Sequence, residues 1–149
     1  MSMMRGWKST PREYDLSQHR IEQAEQCLKS AKLLFSADDY KGAANRSYYC
    51  VFHCMRSVLA LEQTDYKSHS AVISHFRRDY IKTGKFEVKL SDILGGLFQA
   101  RNDSDYEDDF DFCKEDIEEQ IANAEFFLTH IKTYLESDGG RLSGEADSN

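Results

Sequence analysis

Asp39-Tyr40-Lys41-Gly42-Ala43-Ala44-Asn45-Arg46-Ser47-Tyr48-Tyr49-Cys50-Val51-Phe52-His53-Cys54-Met55-Arg56-Ser57-Val58-Leu59-Ala60-Leu61-Glu62 is the stretch that decides the fold. Ala44, Tyr48, Val51, Met55, Val58 and Leu59 recur at helical spacing, and Ser36-Ala37-Asp38-Asp39 supplies the cap. The spacing predicts a helix over about 39–62. Tyr49, Phe52 and Ala60 widen its apolar stripe almost to the whole circumference. A helix of that kind sits at the centre of a bundle or in a subunit interface. Asn45, Arg46, Tyr49, His53 and Arg56 nevertheless share one broad face, a polar seam on an apolar helix. Burying an arginine is costly unless it is paired, so a carboxylate, a phosphate or a partner chain is expected beside Arg46. An internal salt bridge would satisfy it as well.

The segments on either side read as helices too. Ile21, Ala24, Leu28, Ala31 and Phe35 place a first helix over about 15–36, starting either at Thr10-Pro11-Arg12-Glu13 or at Asp15 with Gln18. Ser68 caps a third helix over about 69–82, closed by Thr83-Gly84. A fourth, over about 88–105, carries Leu90, Ile93, Leu94 and Leu97 around Gly95-Gly96, a pair that implies a kink or a close approach. Glu107 to Asp111 reads as an acidic loop. A fifth helix over about 112–136 carries Ile117, Ile121, Ala124, Leu128, Ile131 and Leu135. The expected fold is an all-α up-down bundle of four long helices plus a shorter one. Residues 1–14 would be an N-terminal extension, 15–136 the helical domain and 137–149 a disordered tail.

Composition agrees. The 149 residues include one proline, Pro11, and eight glycines, too few turn residues for a β-sandwich of this length. With 40% hydrophobic and 30% charged residues, the chain has the balance of a globular domain. The longest purely apolar run, Tyr48 to Phe52, cannot span a bilayer, and Met1 to Lys8 is no signal peptide, so a cytoplasmic protein is expected. The net charge of -7 is unevenly spread. Asp103 to Glu119 holds ten acidic residues against Lys114 alone, whereas Lys67 to Lys89 holds six basic residues against two acidic ones. An acidic protein binds nucleic acid poorly in general, but a local basic patch still holds phosphate. Cys27, Cys50, Cys54 and Cys113 form no CxxC pair, which favours buried thiols in a reducing compartment over a metal site.

Three segments carry a family resemblance. Ala43-Ala44-Asn45-Arg46-Ser47-Tyr48-Tyr49-Cys50-Val51-Phe52-His53 resembles the second-helix signature of small prokaryotic HEPN proteins. Lys67-Ser68-His69, with Phe76 and Lys82-Thr83-Gly84-Lys85, is similar to the segment that follows it. Arg101-Asn102-Asp103-Ser104-Asp105-Tyr106 resembles the arginine-to-Asp-Tyr motif that ends the fourth helix. The resemblance covers about residues 15–136 and points to the stand-alone type often encoded beside a minimal nucleotidyltransferase. It implies an all-α bundle that forms a homodimer. Many members are metal-independent RNases whose motif, an arginine, a polar residue and then a histidine, meets its copy in a dimer cleft. Arg101 and Asn102 match the start of that motif, but no histidine lies between Arg101 and His130, and Tyr106 stands roughly where one would be. In paired systems the nucleotidyltransferase silences the toxin by adenylylating a tyrosine near the motif, a role that falls here to Tyr106.

On this reading the chain is a toxin–antitoxin or nucleotidyltransferase-partner protein that binds nucleotide or phosphate or acts as a regulator, without cofactor or metal. The alternative is a metal-independent endoribonuclease acting on RNA. Arg101, Asn102 and Tyr106 are the candidate catalytic residues, and Arg46, Tyr49, His53 and His69 the candidate phosphate or nucleotide ligands. Cleavage of RNA needs the 2′-OH deprotonated, the leaving oxygen protonated and the phosphorane charge stabilised. Arginine suits the last task, and histidine suits acid–base work near neutral pH. Cleavage therefore requires His53 or His69 to come near Arg101 in the fold.

Overall fold

The computed structural model describes residues 11–62, 64–106 and 113–139, without the side chains of 102–106 and 138–139. It has five α-helices and, among the described residues, no strand: α1 (Pro11–Ser36), α2 (Tyr40–Ala60), α3 (His69–Phe76), α4 (Val88–Tyr106) and α5 (Lys114–Tyr134). The all-α bundle of four long helices and a shorter one is the architecture that the apolar periodicity implies. Residues 11–14 are already helical, so α1 does not start at Asp15; Thr10, the cap of the earlier start, lies outside the described residues. The acidic loop at 107–111 and residues 140–149 of the expected tail lie outside the described residues. Leu135–Gly139 form a π-helical turn at the end of α5.

α2 lies at the centre. Thirteen of its side chains are buried, among them Tyr48, Cys50, Val51, Cys54, Met55 and Leu59 at 0% exposure, so it packs on nearly every side. Its longest contact is with α1, which precedes it across a tight turn where Asp38 takes the left-handed conformation at φ 64°. Asp39 caps α2 by accepting the Gly42 N–H at 2.9 Å. Ile117, Ala124, Phe127 and Ile131 of α5 and Leu90 and Leu94 of α4 complete the core around it. Burial of this kind, at roughly 25 cal/mol per Å² of apolar surface, is the main force holding the bundle. The ion pairs between α1 and α5, Lys32–Glu125 at 3.1 Å and Lys132–Glu25 at 2.5 Å, are exposed and add little.

Two departures matter for the site. α3 is shorter than the expected 69–82, because its α-turns give way to a wider π-helical turn at Arg77–Ile81. That turn buries Tyr80 and Ile81 while Arg77 reaches across to α4, donating to the Ser91 hydroxyl at 3.0 Å and its carbonyl at 3.2 Å. Gly95 makes room for it, since a Cβ there would meet Arg77 Nη2 at 3.0 Å. The close approach implied by Gly95-Gly96 is thus to a side chain. Cys113 corrects the expectation of four buried thiols. Cys27, Cys50 and Cys54 are buried, but Cys113 is exposed at the start of α5, where its Sγ donates to Glu115 at 3.0 Å. It stands outside the core because it precedes the first apolar position of α5, Ile117.

Candidate functional site

α2 presents two adjacent tyrosines to different surroundings. Tyr48 is fully buried, and burial pushes its hydroxyl up to about 12, although Arg101 pulls the other way. Its O–H stays protonated at any physiological pH and lies 2.8 Å from His69 Nδ1. Tyr49 is half-buried, with its ring edge-on to Tyr48 at 5.1 Å.

His69 is the first residue of α3, held there by the Ser68 hydroxyl, which accepts the Ala71 N–H at 3.1 Å. Its ring lies 4.1 Å from that of Phe52. Burial, and then the charges of Arg101 and Arg56, hold the His69 imidazole below its ordinary value, so it is neutral at pH 7. The Tyr48 hydroxyl can donate to Nδ1 or accept from it, so it serves either tautomer of the ring.

Arg101 comes from the last turns of α4. Its guanidinium carbon lies 5.1 Å from the centre of the Tyr48 ring and 5.6 Å from that of Tyr49, and Nη2 donates to the Tyr49 hydroxyl at 3.4 Å. Cation–π contact of this kind holds a charge at small desolvation cost. Three helices therefore converge on Tyr48: α2 provides the ring, α3 the histidine and α4 the arginine.

The rest of the seam is basic. Arg46 lies 5.2 Å over the Tyr49 ring and donates to Asn45 Oδ1 from Nε at 3.2 Å and Nη2 at 2.9 Å. It also reaches Cys27 Sγ at 3.7 Å. Among the described residues its partners are thus an amide, a thiol and a ring, where a carboxylate was one of the expected partners. His53 is pushed down to about 4 by burial, then by Arg56, Arg20, Arg46 and His19. Its Nδ1 is buried without a hydrogen-bond partner among the described residues. Arg56 grips Asp65 with Nε at 3.3 Å and Nη2 at 2.9 Å, and Arg20 approaches the same carboxylate at 3.9 Å. Burial works against ionisation of Asp65, but the two arginines and the Tyr66 N–H outweigh it and hold its carboxyl below the usual range. Beside this group, Phe52, Arg56, Asp65, Tyr66, Lys67 and His69 line an open cleft of about 480 Å³.

The structure thus joins Arg101, Tyr49 and His69 from the sequence-derived set and strings Arg46 and His53 along the adjoining face. The side chains of Asn102 and Tyr106 lie outside the described residues, although the α4 backbone runs through both. Tyr48, Arg20 and Asp65 were not among the candidates. The Tyr48-Tyr49 doublet was the available signal for Tyr48, but helical spacing assigned that residue wholly to the core. Of the basic run, only Lys67 reaches the cleft. Lys85 lies over Tyr80 at 5.0 Å and Lys89 over Phe126 at 4.2 Å, so both serve the packing of aromatic rings. No group of three or more His, Cys, Asp or Glu that could hold a metal occurs among the described residues. None of the described helices is long and apolar enough to cross a membrane.

A small all-α bundle whose fourth helix carries an arginine onto a polar seam of the second defines a class of helical proteins. The HEPN domain matches residues 17–134, and the chain belongs to that family. It is 31% identical over 128 residues to "Putative toxin MJ0142" of Methanocaldococcus jannaschii, covering 86% of each chain. It is 33% identical over 113 residues to a "UPF0332 protein" of Thermotoga maritima, covering 76% of this chain and 86% of the relative. A second Methanocaldococcus jannaschii protein, "Putative toxin MJ0605", is 33% identical over 115 residues, 77% of this chain and 85% of the relative.

Proposed function

We propose that the chain is the toxin-type component of a two-component system and that Arg101 and His69 form a metal-independent centre for cleaving RNA. The observation that carries this reading is the convergence of the two side chains on Tyr48. The arginine motif lacks a histidine of its own, and His69 of α3 would take its place. Arg101 would bear the charge of the phosphorane. His69, neutral and backed by Tyr48, would take the proton from the 2′-OH. That oxygen attacks the adjacent phosphorus, the bond to the 5′-oxygen breaks, and the products are a 2′,3′-cyclic phosphate and a 5′-hydroxyl. The proton for the leaving oxygen would come from the same imidazole or from its counterpart in a homodimer. The half-buried seam of α2 favours such a dimer, because beyond the first turn every other side chain of the helix is buried.

The purified protein, incubated with total RNA in the presence of a chelator, should generate cyclic-phosphate ends. His69→Ala should slow this by about 100-fold or more, the usual weight of a general acid–base residue. Arg101→Ala should abolish it. Intact RNA at every protein concentration, or equal cleavage by His69→Ala, refutes the assignment. Binding without cleavage would leave nucleotide or phosphate recognition, the other reading that the basic seam favours. The partner is proposed to be a minimal nucleotidyltransferase that adenylylates Tyr106. Co-expression should add whole AMP units to the intact mass, and Tyr106→Phe should remove them; a shift that persists in Tyr106→Phe sinks the idea.

A further inference from the structure

Asp65 is held as a bound anion would be. Its carboxylate takes both arms of the Arg56 fork and faces Arg20, yet its own side chain is 53% exposed, while Arg20 is 12% and Arg56 26% exposed. The cations are thus built into the bundle and the anion is not. Arg56 stands on the central helix and Arg20 on α1, whereas Asp65 lies on the short non-helical link between α2 and α3. The charges do not cancel either: two guanidinium groups share one carboxylate, Lys67 adds a second cation to the cleft that Arg56 lines, and in the neighbouring pocket of Arg20 the charges of Arg12 and Glu13 offset each other. The surplus is felt nearby. Arg56 and Arg20 are among the charges that keep His53 neutral, and Arg56 also acts on His69. Guanidinium forks receive phosphate in the geometry in which they receive carboxylate. His69 lines the same cleft as Arg56, Asp65 and Lys67, so Arg56 adjoins the proposed reaction centre, while Arg20 meets Asp65 from the neighbouring pocket.

We propose that Arg56 and Lys67, backed by Arg20 across Asp65, form a second phosphate subsite beside His69, which takes a neighbouring phosphodiester of a single-stranded RNA, and that Asp65 occupies it until RNA displaces it. The proposal rests on the RNA reading above, but its test does not depend on cleavage. The probe is a fluorescent, 2′-O-methylated single-stranded oligonucleotide, which cannot be cut. Binding is measured as a function of salt for the wild type, Asp65→Asn, Asp65→Asn with Arg56→Ala, and Asp38→Asn. The last removes one carboxylate from the distant α1–α2 turn and controls for net charge. Asp65→Asn should bind about fivefold more tightly, the release of one exposed ion pair. Its salt dependence should steepen by about 0.7 in log–log slope, one further phosphate neutralised. Arg56→Ala should erase the gain, and Asp38→Asn should show none. Thermal melts establish which variants are folded, with Asp65→Ser standing in should Asp65→Asn not fold. A folded Asp65 variant that binds no more tightly than the wild type overturns the subsite, as does a gain that survives Arg56→Ala or is matched by Asp38→Asn. Tighter binding in a protein that cuts no RNA upholds the subsite and removes the nuclease. Cleavage without the gain does the reverse.

Discussion

Replacing His53 by glutamine should flatten the acid side of the stability curve. In the folded chain the imidazole sits at about 4, and in the unfolded chain it returns to about 6.5. Between those values the unfolded state binds more protons, so stability rises with pH through that window. The contribution is complete above about 6.5 and is lost as pH falls toward about 4. Taken in full, the displacement is worth about 3 kcal/mol. His53 is only half-buried, and solvent screening roughly halves that, to about 1.5 kcal/mol. For a chain of this length the wild type should therefore lose about 3–6 °C of Tm from this residue alone between neutral pH and about pH 4. Other groups titrate over the same range, so the assay is a difference: melting curves of wild type and His53→Gln at matched ionic strength. The gap between them should change steadily in favour of His53→Gln as pH falls. A gap that stays constant across the range refutes the argument, and with it the claim that Arg20, Arg46 and Arg56 act on this position.

Tyr48→Phe keeps the ring under Arg101 and removes the hydroxyl from His69. It should cost about 1 kcal/mol in a urea titration and lower kcat of RNA cleavage while leaving KM unchanged; a rise in KM alone would place Tyr48 in substrate binding. Ser68→Ala removes the cap of α3 and should cost about 1 kcal/mol. Its mark should be faster amide exchange in the first turn, from His69 onward, and unchanged protection there would show that packing alone holds the turn.

The helices were legible in the sequence because each repeats its apolar residues at helical spacing, and Asp39 and Ser68 announce two of the starts. The convergence on Tyr48 was not, because it is a tertiary event. Nothing in Lys67-Ser68-His69 states that α3 will set its first residue against a tyrosine of α2, and nothing after Arg101 states which rings will receive it. The widening of α3 at Arg77 was hidden for a similar reason. It begins where Arg77 meets Ser91 across a gap left by Gly95, a contact between separate helices. The basic run from Lys67 to Lys89 misled in the opposite sense. It reads as one charged surface, but Lys85 and Lys89 lie over aromatic rings, and Arg77 is tied to α4.

The order in which Tyr48, His69 and Arg101 leave the ribosome has a consequence of its own. Domains fold from the N-terminus as synthesis proceeds at about 5–20 residues per second, so Tyr48 and His69 emerge seconds before Arg101. During that interval α2 has α1 to pack against, but neither α4 nor α5 exists to close its other faces. A nascent chain halted there carries the tyrosine and the histidine without the cation. The centre is complete only once α4 has docked, so prematurely terminated translation yields fragments that lack it.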